Sequence, residues 1–438
     1  MSCMHGYAVN DAADGVFSID ASHLTFGRGC LAELGALART LGGHRIALFT
    51  DVNVVKLPAA AMARSSLTAM GFEVVVWAET SIEPTDSSFL EAARFYAAGR
   101  FDGAISLGGG SVIDTAKAAL LYATWPASFL TYVNAPAGEA KPVPGALPWH
   151  IACPTTSGTG SELTGIAICD VPSLETKTGI ASRLLRPALA VVDPDVTNSL
   201  PGTVVAASGF DVLYHALESF TARPHTKRPK TTARPMSQGA NPWSDVGSLE
   251  ALRLCGRFLT RAAADAADSE AREQMIWASS LAGIAFGNAG VHVPHAMAYA
   301  VASQVNAFRL PGYPQDKPMV PHGLSVVVNA PAVFRWSART SPERHLEAAA
   351  ALGAQTRGAR PEDAGEIIAS VLERMLRETK LPASLDSLGY AENDVPALVK
   401  ATALQRRLLD NAPCDTREPE LSALFHAAMT ARPLSAPG

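Results

Sequence analysis

The chain of 438 residues has few cysteines, and none of its six (Cys3, Cys30, Cys153, Cys169, Cys255, Cys414) forms a C-x-x-C pair. A disulfide frame and a zinc ribbon are thereby excluded, and reduced thiols that fill the core are expected. Long apolar runs of the kind that cross a bilayer are missing as well. The richest candidate, from Ala104 to Tyr132, is broken by Asp114 and Lys117, so no helical membrane span is expected. Nor is there a surplus of one charge. With 36 basic and 41 acidic residues and a formal net charge of -5, the chain offers no electrostatic footprint for a nucleic-acid backbone or an anionic membrane surface. Asp11 and Asp14 precede the first arginine, so no basic or apolar leader is expected, and the expectation from this is a cytoplasmic protein.

What is present is an ordinary globular composition, 48% hydrophobic and 18% charged, in a chain long enough for two domains. Short β-prone runs at Ile46 to Thr50, Phe72 to Trp77, Asp102 to Leu107, His150 to Pro154 and Leu189 to Asp193 alternate with helix-length segments such as Ala59 to Met70 and Ser87 to Ala98. That spacing predicts a parallel sheet covered by helices. Beyond Pro194 the pattern changes to long amphipathic stretches (Val246 to Ala263, Glu270 to Phe286, Glu366 to Glu378), which predict an all-helical second half. The turn-forming segment from Asp193 to Pro201 separates the two, so residues 1–198 are expected to form an α/β dinucleotide-binding domain and residues 199–438 a helical metal-binding and substrate domain. The stretch from Arg223 to Pro242, with Arg223, His225, Lys227, Arg228, Lys230 and Arg234, reads as a solvated loop or, more sharply, as a lid that attracts anionic substrates.

Two loops carry the signature of phosphate binding. Leu107-Gly108-Gly109-Gly110-Ser111 lies where a strand turns into the helical segment Val112 to Tyr122. Glycines there let the backbone approach an anion, and the first helical N–H groups can donate to it. Ser111 and Asp114 have the spacing of a capping box. The motif is not the G-x-G-x-x-G dinucleotide fingerprint, and a plain tight turn has the same composition. A second loop, from Pro154 to Glu162, again follows a strand and supplies Thr155, Thr156, Ser157, Thr159 and Ser161.

The third constellation is a set of metal-ligand types. Asp211 and His215 are four residues apart on a helical pattern, hence on one face. Two further segments open with histidines, His292 and His295 in one, His322 in the other. One carboxylate and three imidazoles drawn from three segments would leave a coordination position open for water or substrate. Each taken alone is as well explained as a surface pair or a satisfied core histidine.

Taken together and in this order, Gly108 to Ser111, Thr155 to Glu162, Asp211-x-x-x-His215-Ala216-x-Glu218, His295 and Pro321-His322-Gly323 resemble the iron-containing alcohol dehydrogenases, from about Ile19 to Met429. The resemblance implies a dehydroquinate synthase-like fold: an α/β nucleotide-binding domain with a parallel sheet plus an all-α C-terminal domain. It also implies NAD and a divalent metal, iron first and zinc second, in a cleft between them. By position it makes Asp211, His215, His295 and His322 the metal ligands, with His292 a second choice. It places Asp51 near the adenosine ribose and Gly109, Gly110, Ser111 and Asp114 near the pyrophosphate and its ribose. Thr155, Thr156, Thr159 and Thr164 fall in the second loop, and Lys177 near a cofactor hydroxyl. Where the alcohol dehydrogenases carry a further histidine four residues after the metal-binding one, this chain has Tyr299, which would orient substrate rather than shuttle protons.

The stretches Gly287 to His292, Val320 to Val327 and Pro342 to Glu347 are similar to the branch of the family that passes hydride from hydroxyacids to oxoacids. The implied reaction oxidises 4-hydroxybutyrate to succinate semialdehyde and reduces 2-oxoglutarate to 2-hydroxyglutarate on one bound cofactor. An NAD-dependent alcohol or 4-hydroxybutyrate dehydrogenase with exchangeable cofactor is the alternative; a lyase of the dehydroquinate synthase type and a metal-binding regulator are further rivals. Arg223, Lys227, Arg228, Lys230, Arg309 and Lys317 are the candidates to anchor a substrate carboxylate. The expected partners are these small molecules, with no nucleic acid and no membrane, and a second copy in a homodimer or higher homo-oligomer.

Overall fold

The computed structural model describes Tyr7 and residues 14–431, apart from 229 and 231–233. Cys3 and Asp11 lie outside the described residues. The first half is built on eight strands: β1 (His23–Phe26), β2 (Arg45–Phe49), β3 (Glu73–Trp77), β4 (Gly103–Gly108), β5 (Trp149–Pro154), β6 (Ile166–Val171), β7 (Thr176–Ala181) and β8 (Leu189–Val192). Six form one sheet in the order β1-β8-β5-β4-β2-β3, all parallel, while β6 and β7 make a separate antiparallel pair.

Alternation along the central strands sends side chains to both faces. Ile46, Leu48, Ile105, Leu107, Ile151 and Cys153 pack with Leu34 and Ala38 of α1 (Leu34–Leu41) and Ala63 and Leu67 of α2 (Pro58–Ala69). Ala47, Phe49 and Ala104 pack with Ala92 and Tyr96 of α3 (Asp86–Gly99) and Ala116 and Leu120 of α4 (Gly110–Thr124). Burial on both faces is why these strands read as near-continuous apolar runs. From β2 the chain proceeds to β3 on one side, and β4 then lies on the other. In an open parallel sheet such a reversal leaves a crevice at the carboxyl ends of the strands, where ligands bind.

The second half is helical. The central helix α5 (Gly202–Thr221) is buried along almost its whole length and is packed by α6 (Pro242–Ala264), α7 (Ser269–Ala289) and α9 (His322–Val327), with α8 (Val293–Ser303) against α9. A helix apolar all round belongs inside a bundle. The turn-rich segment before α5 is pinned by Arg272 of α7, whose buried guanidinium donates to the carbonyls of Thr197 (2.8 Å), Ala262 (2.9 Å) and Leu200 (3.3 Å).

Two expectations are corrected. The stretch after Arg223 is not solvated throughout: His225, Gln238, Ala240 and Asn241 are fully buried, and Arg228 and Arg234 reach back to Asp14 at 3.4 and 3.1 Å, while Lys227 and Lys230 are exposed. Ser111 and Asp114 do not form a capping box. The N-cap of α4 is Gly109, without a side-chain cap, and Asp114 turns inward, accepting from the Ser161 hydroxyl and, at 2.9 Å, from the Ile168 amide. Cys30, Cys153, Cys169 and Cys255 are buried free thiols, as expected, and Cys414 is half-buried.

Candidate active site

A cleft of about 1070 Å³ runs between the carboxyl edge of the sheet and the helical half. All ten residues assigned to the cofactor line it: Asp51 after β2, Gly109, Gly110, Ser111 and Asp114 at the start of α4, Thr155, Thr156, Thr159 and Thr164 after β5, and Lys177 on β7. Asp51 accepts from the amides of Asn53 (2.8 Å) and Val54 (3.0 Å), which fixes its loop. At Gly110 an added Cβ would lie 2.7 Å from the Thr159 hydroxyl, so the two loops approach at van der Waals distance only because that residue is glycine.

Beneath these loops Lys117, fully buried, donates to Ser161 Oγ (2.6 Å) and to the Ile166 carbonyl (2.7 Å). Burial pushes its ammonium down to about 8, against the opposing pull of Asp114. Lys177 is held by two carboxylates, Glu83 Oε2 at 2.5 Å and Asp170 Oδ1 at 3.1 Å.

The metal-ligand types converge. Asp211 and His215 lie one turn apart on α5. His295 sits in the first turn of α8, behind Pro294, which pre-sets that turn, and His322 opens α9 directly after its N-cap Pro321; both histidines line the cleft. One donor atom each from Asp211, His215 and His295 falls within 4.8 Å of the others. The Nε2 atoms of His295, His215 and His322 stand 3.4, 3.7 and 3.7 Å from the same Asp211 oxygen. Asp211 Oδ1 and His295 Nε2 are buried and have no hydrogen-bond partner among the described residues. Asp211, His215 and His295 at this spacing fit a divalent cation, with His322 beside the same carboxylate oxygen, and burial of unpaired polar atoms is costly without one.

The electrostatics agree. Burial opposes the charge on Asp211, but His215, His322 and His295 outweigh it and hold the carboxyl well below its usual range. Burial pushes the His215 imidazole down to about 4.

Glu218, two turns along α5 from Asp211, received no role from the sequence. It is fully buried; its Oε1 accepts from His295 Nδ1 and its Oε2 from the His292 backbone N–H, both at 2.6 Å. The carboxylate thus keeps the His295 proton on Nδ1 and leaves Nε2 to face Asp211. Burial works to lower the His295 pKa, but Glu218 and Asp211 raise it to about 9. His292 stands apart from the cluster, its Nε2 3.1 Å from the Thr221 hydroxyl. Tyr299 lines the same cleft, its ring 5.9 Å from that of His322. Burial pushes its phenol up to about 12, so it is a protonated group at neutral pH.

Of the basic residues considered as carboxylate anchors, only Lys317 lines the cleft. Arg309 donates instead to the carbonyls of Gln315 and Ala307. Arg407, which sequence reading passed over, does line it; a basic pair at 406 and 407, far along the chain from every motif, carries no signal of its own.

Comparison with known proteins agrees with this geometry. Residues 21–194 match the model of the family "Iron-containing alcohol dehydrogenase", and residues 205–429 that of "Fe-containing alcohol dehydrogenase family, C-terminal". The hydroxyacid-oxoacid transhydrogenase of Homo sapiens, a mitochondrial protein, is 47% identical over 95% of this chain and 90% of its own length. That of Mus musculus is 46% identical over 95% and 91%. A solved 1,3-propanediol oxidoreductase superposes with a TM-score of 0.83 at 27% identity, covering 94% of this chain and 100% of its own. The expectation of a cytoplasmic location is overturned by the transhydrogenases, whose names place them in mitochondria. That expectation leaned on early acids, and Asp14 is a buried partner of Arg228 and Arg234, which says nothing about a compartment. With both halves matched, the chain belongs to the iron-containing alcohol dehydrogenase family, oxidoreductases that act on CH–OH groups and take a divalent metal and NAD(H).

Proposed function

We propose that this protein is a hydroxyacid-oxoacid transhydrogenase that oxidises 4-hydroxybutyrate to succinate semialdehyde and reduces 2-oxoglutarate to 2-hydroxyglutarate on one NAD(H). The observation that supports it is the meeting of two features in one cleft: the glycine and threonine loops at the sheet edge, and the four side chains around Asp211. The identity of nearly half of all residues with curated transhydrogenases supports the substrate assignment.

On this reading Asp211, His215, His295 and His322 hold the divalent ion, iron in first place and zinc in second. When bound, the ion polarises the substrate oxygen and eases loss of its proton. Glu218 keeps the proton on His295 Nδ1. Tyr299, protonated, orients the substrate as a hydrogen-bond donor. The loops through Gly109, Gly110, Ser111, Thr155, Thr156, Thr159 and Thr164 hold the dinucleotide, with Asp51 near the adenosine ribose, Asp114 near the pyrophosphate and its ribose, and Lys177 near a cofactor hydroxyl. Bound NAD would supply the hydride acceptor for the carbinol and, reduced, the hydride donor for the oxoacid, with the proton lost in the first half returned in the second.

Residues 1–198 and 199–438 form the two domains on this reading, and the protein assembles as a homodimer or higher homo-oligomer. The test is to incubate the purified protein with 4-hydroxybutyrate and 2-oxoglutarate, with and without added NAD. Formation of 2-hydroxyglutarate without stoichiometric NADH is expected. Turnover only with net NAD reduction would make it an ordinary dehydrogenase.

A further inference from the structure

A substrate pair such as 4-hydroxybutyrate and 2-oxoglutarate sets a chemical constraint. In the first the reacting C4 and the carboxylate C1 are three carbon–carbon bonds apart. In the second the reacting C2 and the distal carboxylate C5 are separated by the same three bonds. A single cation at a fixed place relative to the reacting oxygen can therefore hold both acids in turn.

Among the described residues, three lysine and arginine side chains line the cleft: Lys177, Lys317 and Arg407. Lys177 is committed to Glu83 and Asp170. Lys317 is exposed and has the same two acids as electrostatic neighbours, so its charge is screened and already answered. Arg407 differs from both. Among the described residues it makes no ion pair; half-buried at the cleft, its guanidinium has one hydrogen bond, from Nη1 to the Ser237 hydroxyl at 3.3 Å, and burial lowers its pKa, opposed by Tyr299. A half-buried cation without an anion is open to pair with one, and Arg presents a planar fork that matches a carboxylate.

Its placement is fixed by the fold. On one flank the Gln405 amide donates to the Lys177 carbonyl at 3.1 Å; on the other, Asn411 donates to the carbonyls of Ala289 and Val291, both at 3.1 Å. Both anchors are cleft-side segments, so the residues between them are held against the site. Tyr299, one turn of α8 beyond His295, is within electrostatic reach of Arg407, and its ring lies 5.9 Å from that of His322.

We propose that Arg407 is the residue that binds the distal carboxylate of both hydroxyacid and oxoacid, and so sets the specificity of the cleft for acids. This rests on the transhydrogenase reading above. It also separates the roles in the cleft: the Asp211 cluster receives the reacting oxygen, and Arg407 receives the far end of the same molecule.

The experiment compares the metal-loaded wild type with Arg407→Gln, Arg407→Lys and the control Lys317→Gln. Two readouts are taken: KM and kcat for 4-hydroxybutyrate against uncharged 1,4-butanediol, and calorimetric binding of glutarate, an unreactive dicarboxylate. Arg407→Gln is expected to raise KM for 4-hydroxybutyrate by about a hundredfold, within the range for truncating one partner of a buried charge pair, with a rise for the diol at least tenfold smaller and a parallel loss of glutarate affinity. Arg407→Lys restores part of the glutarate binding, and Lys317→Gln leaves the ratio of acid to diol as in the wild type. Equal changes for acid and diol, unchanged glutarate binding, or a shift of the ratio in Lys317→Gln in place of Arg407→Gln would overturn the proposal. A wild type that transfers no hydride between hydroxyacid and oxoacid would instead sink the function on which it rests.

Discussion

Glu218→Gln tests whether the metal site is set from behind as well as from within. The wild-type carboxylate accepts two N–H groups, His295 Nδ1 and the His292 amide, each at 2.6 Å in a fully buried setting. Glutamine has nearly the same shape but only one accepting atom. If its oxygen keeps the His292 amide, its NH2 faces His295 Nδ1, which must then shed its proton to Nε2, the atom turned toward Asp211. If its oxygen keeps His295, the His292 amide meets a second donor, and a buried unsatisfied N–H costs about 1–3 kcal/mol. Loss of such a supporting carboxylate lowers metal affinity by about 10–100-fold, or roughly 1.4–2.7 kcal/mol. The assay is a competitive titration of Zn(II) against a chelator of known affinity, on both proteins at one pH, with kcat measured at saturating metal. The affinity should fall by that factor while much of kcat returns at high metal. Equal affinities within twofold would refute the claim that Glu218 fixes the His295 tautomer.

Three further outcomes are expected. A Cβ at Gly323 would lie 2.0 Å from the Ala207 carbonyl oxygen and 3.2 Å from Asp211 Cβ, so Gly323→Ala should move α9 off α5, carry His322 away and reduce kcat/KM by about 10²-fold, as a displacement near 1 Å does elsewhere, with circular dichroism retained; normal kinetics would contradict this. Buried His150, its Nε2 2.8 Å from the Ser106 hydroxyl, has its pKa pushed by burial from 6.5 down to about 3. The unfolded chain then binds a proton that the folded one refuses, so stability falls as pH drops from 6.5 toward 3, by about 1.4 kcal/mol per pH unit from this group. Urea unfolding of His150→Gln should show a correspondingly shallower acid limb, and parallel profiles would speak against it. Asp14→Ala should free Arg228 and Arg234 and speed tryptic cleavage between Arg223 and Arg234; an unchanged digestion rate would show that the stretch is held by other contacts.

How much of this was legible in the sequence follows from where each signal lives. The central strands were, because burial on both faces makes them unbroken apolar runs, and so was the Asp211 and His215 pair, because one helical turn is a local rule. The edge strand β1 was not: only four residues long and largely half-exposed, it lacks the apolar run. The hairpin of β6 and β7 was missed because Asp170, Thr176, Lys177 and Thr178 interrupt its pattern, although three of these four are buried and Lys177 is paired. Charge misled wherever its partner was remote. Arg228 and Arg234 read as solvated until folded against Asp14, more than 200 residues away. Glu218 lay in view on the metal helix, and only its contact with His295 reveals what it does.

The central claim is that Asp211, His215, His295 and His322 share one divalent ion. Anomalous diffraction from crystals loaded with Zn(II) or, without oxygen, Fe(II) tests it most directly. The account predicts one strong peak in the cleft, about 2.0–2.2 Å from an Asp211 oxygen and from a nitrogen of each histidine. A peak that leaves out His295 or His322, or a metal bound anywhere else, would contradict it.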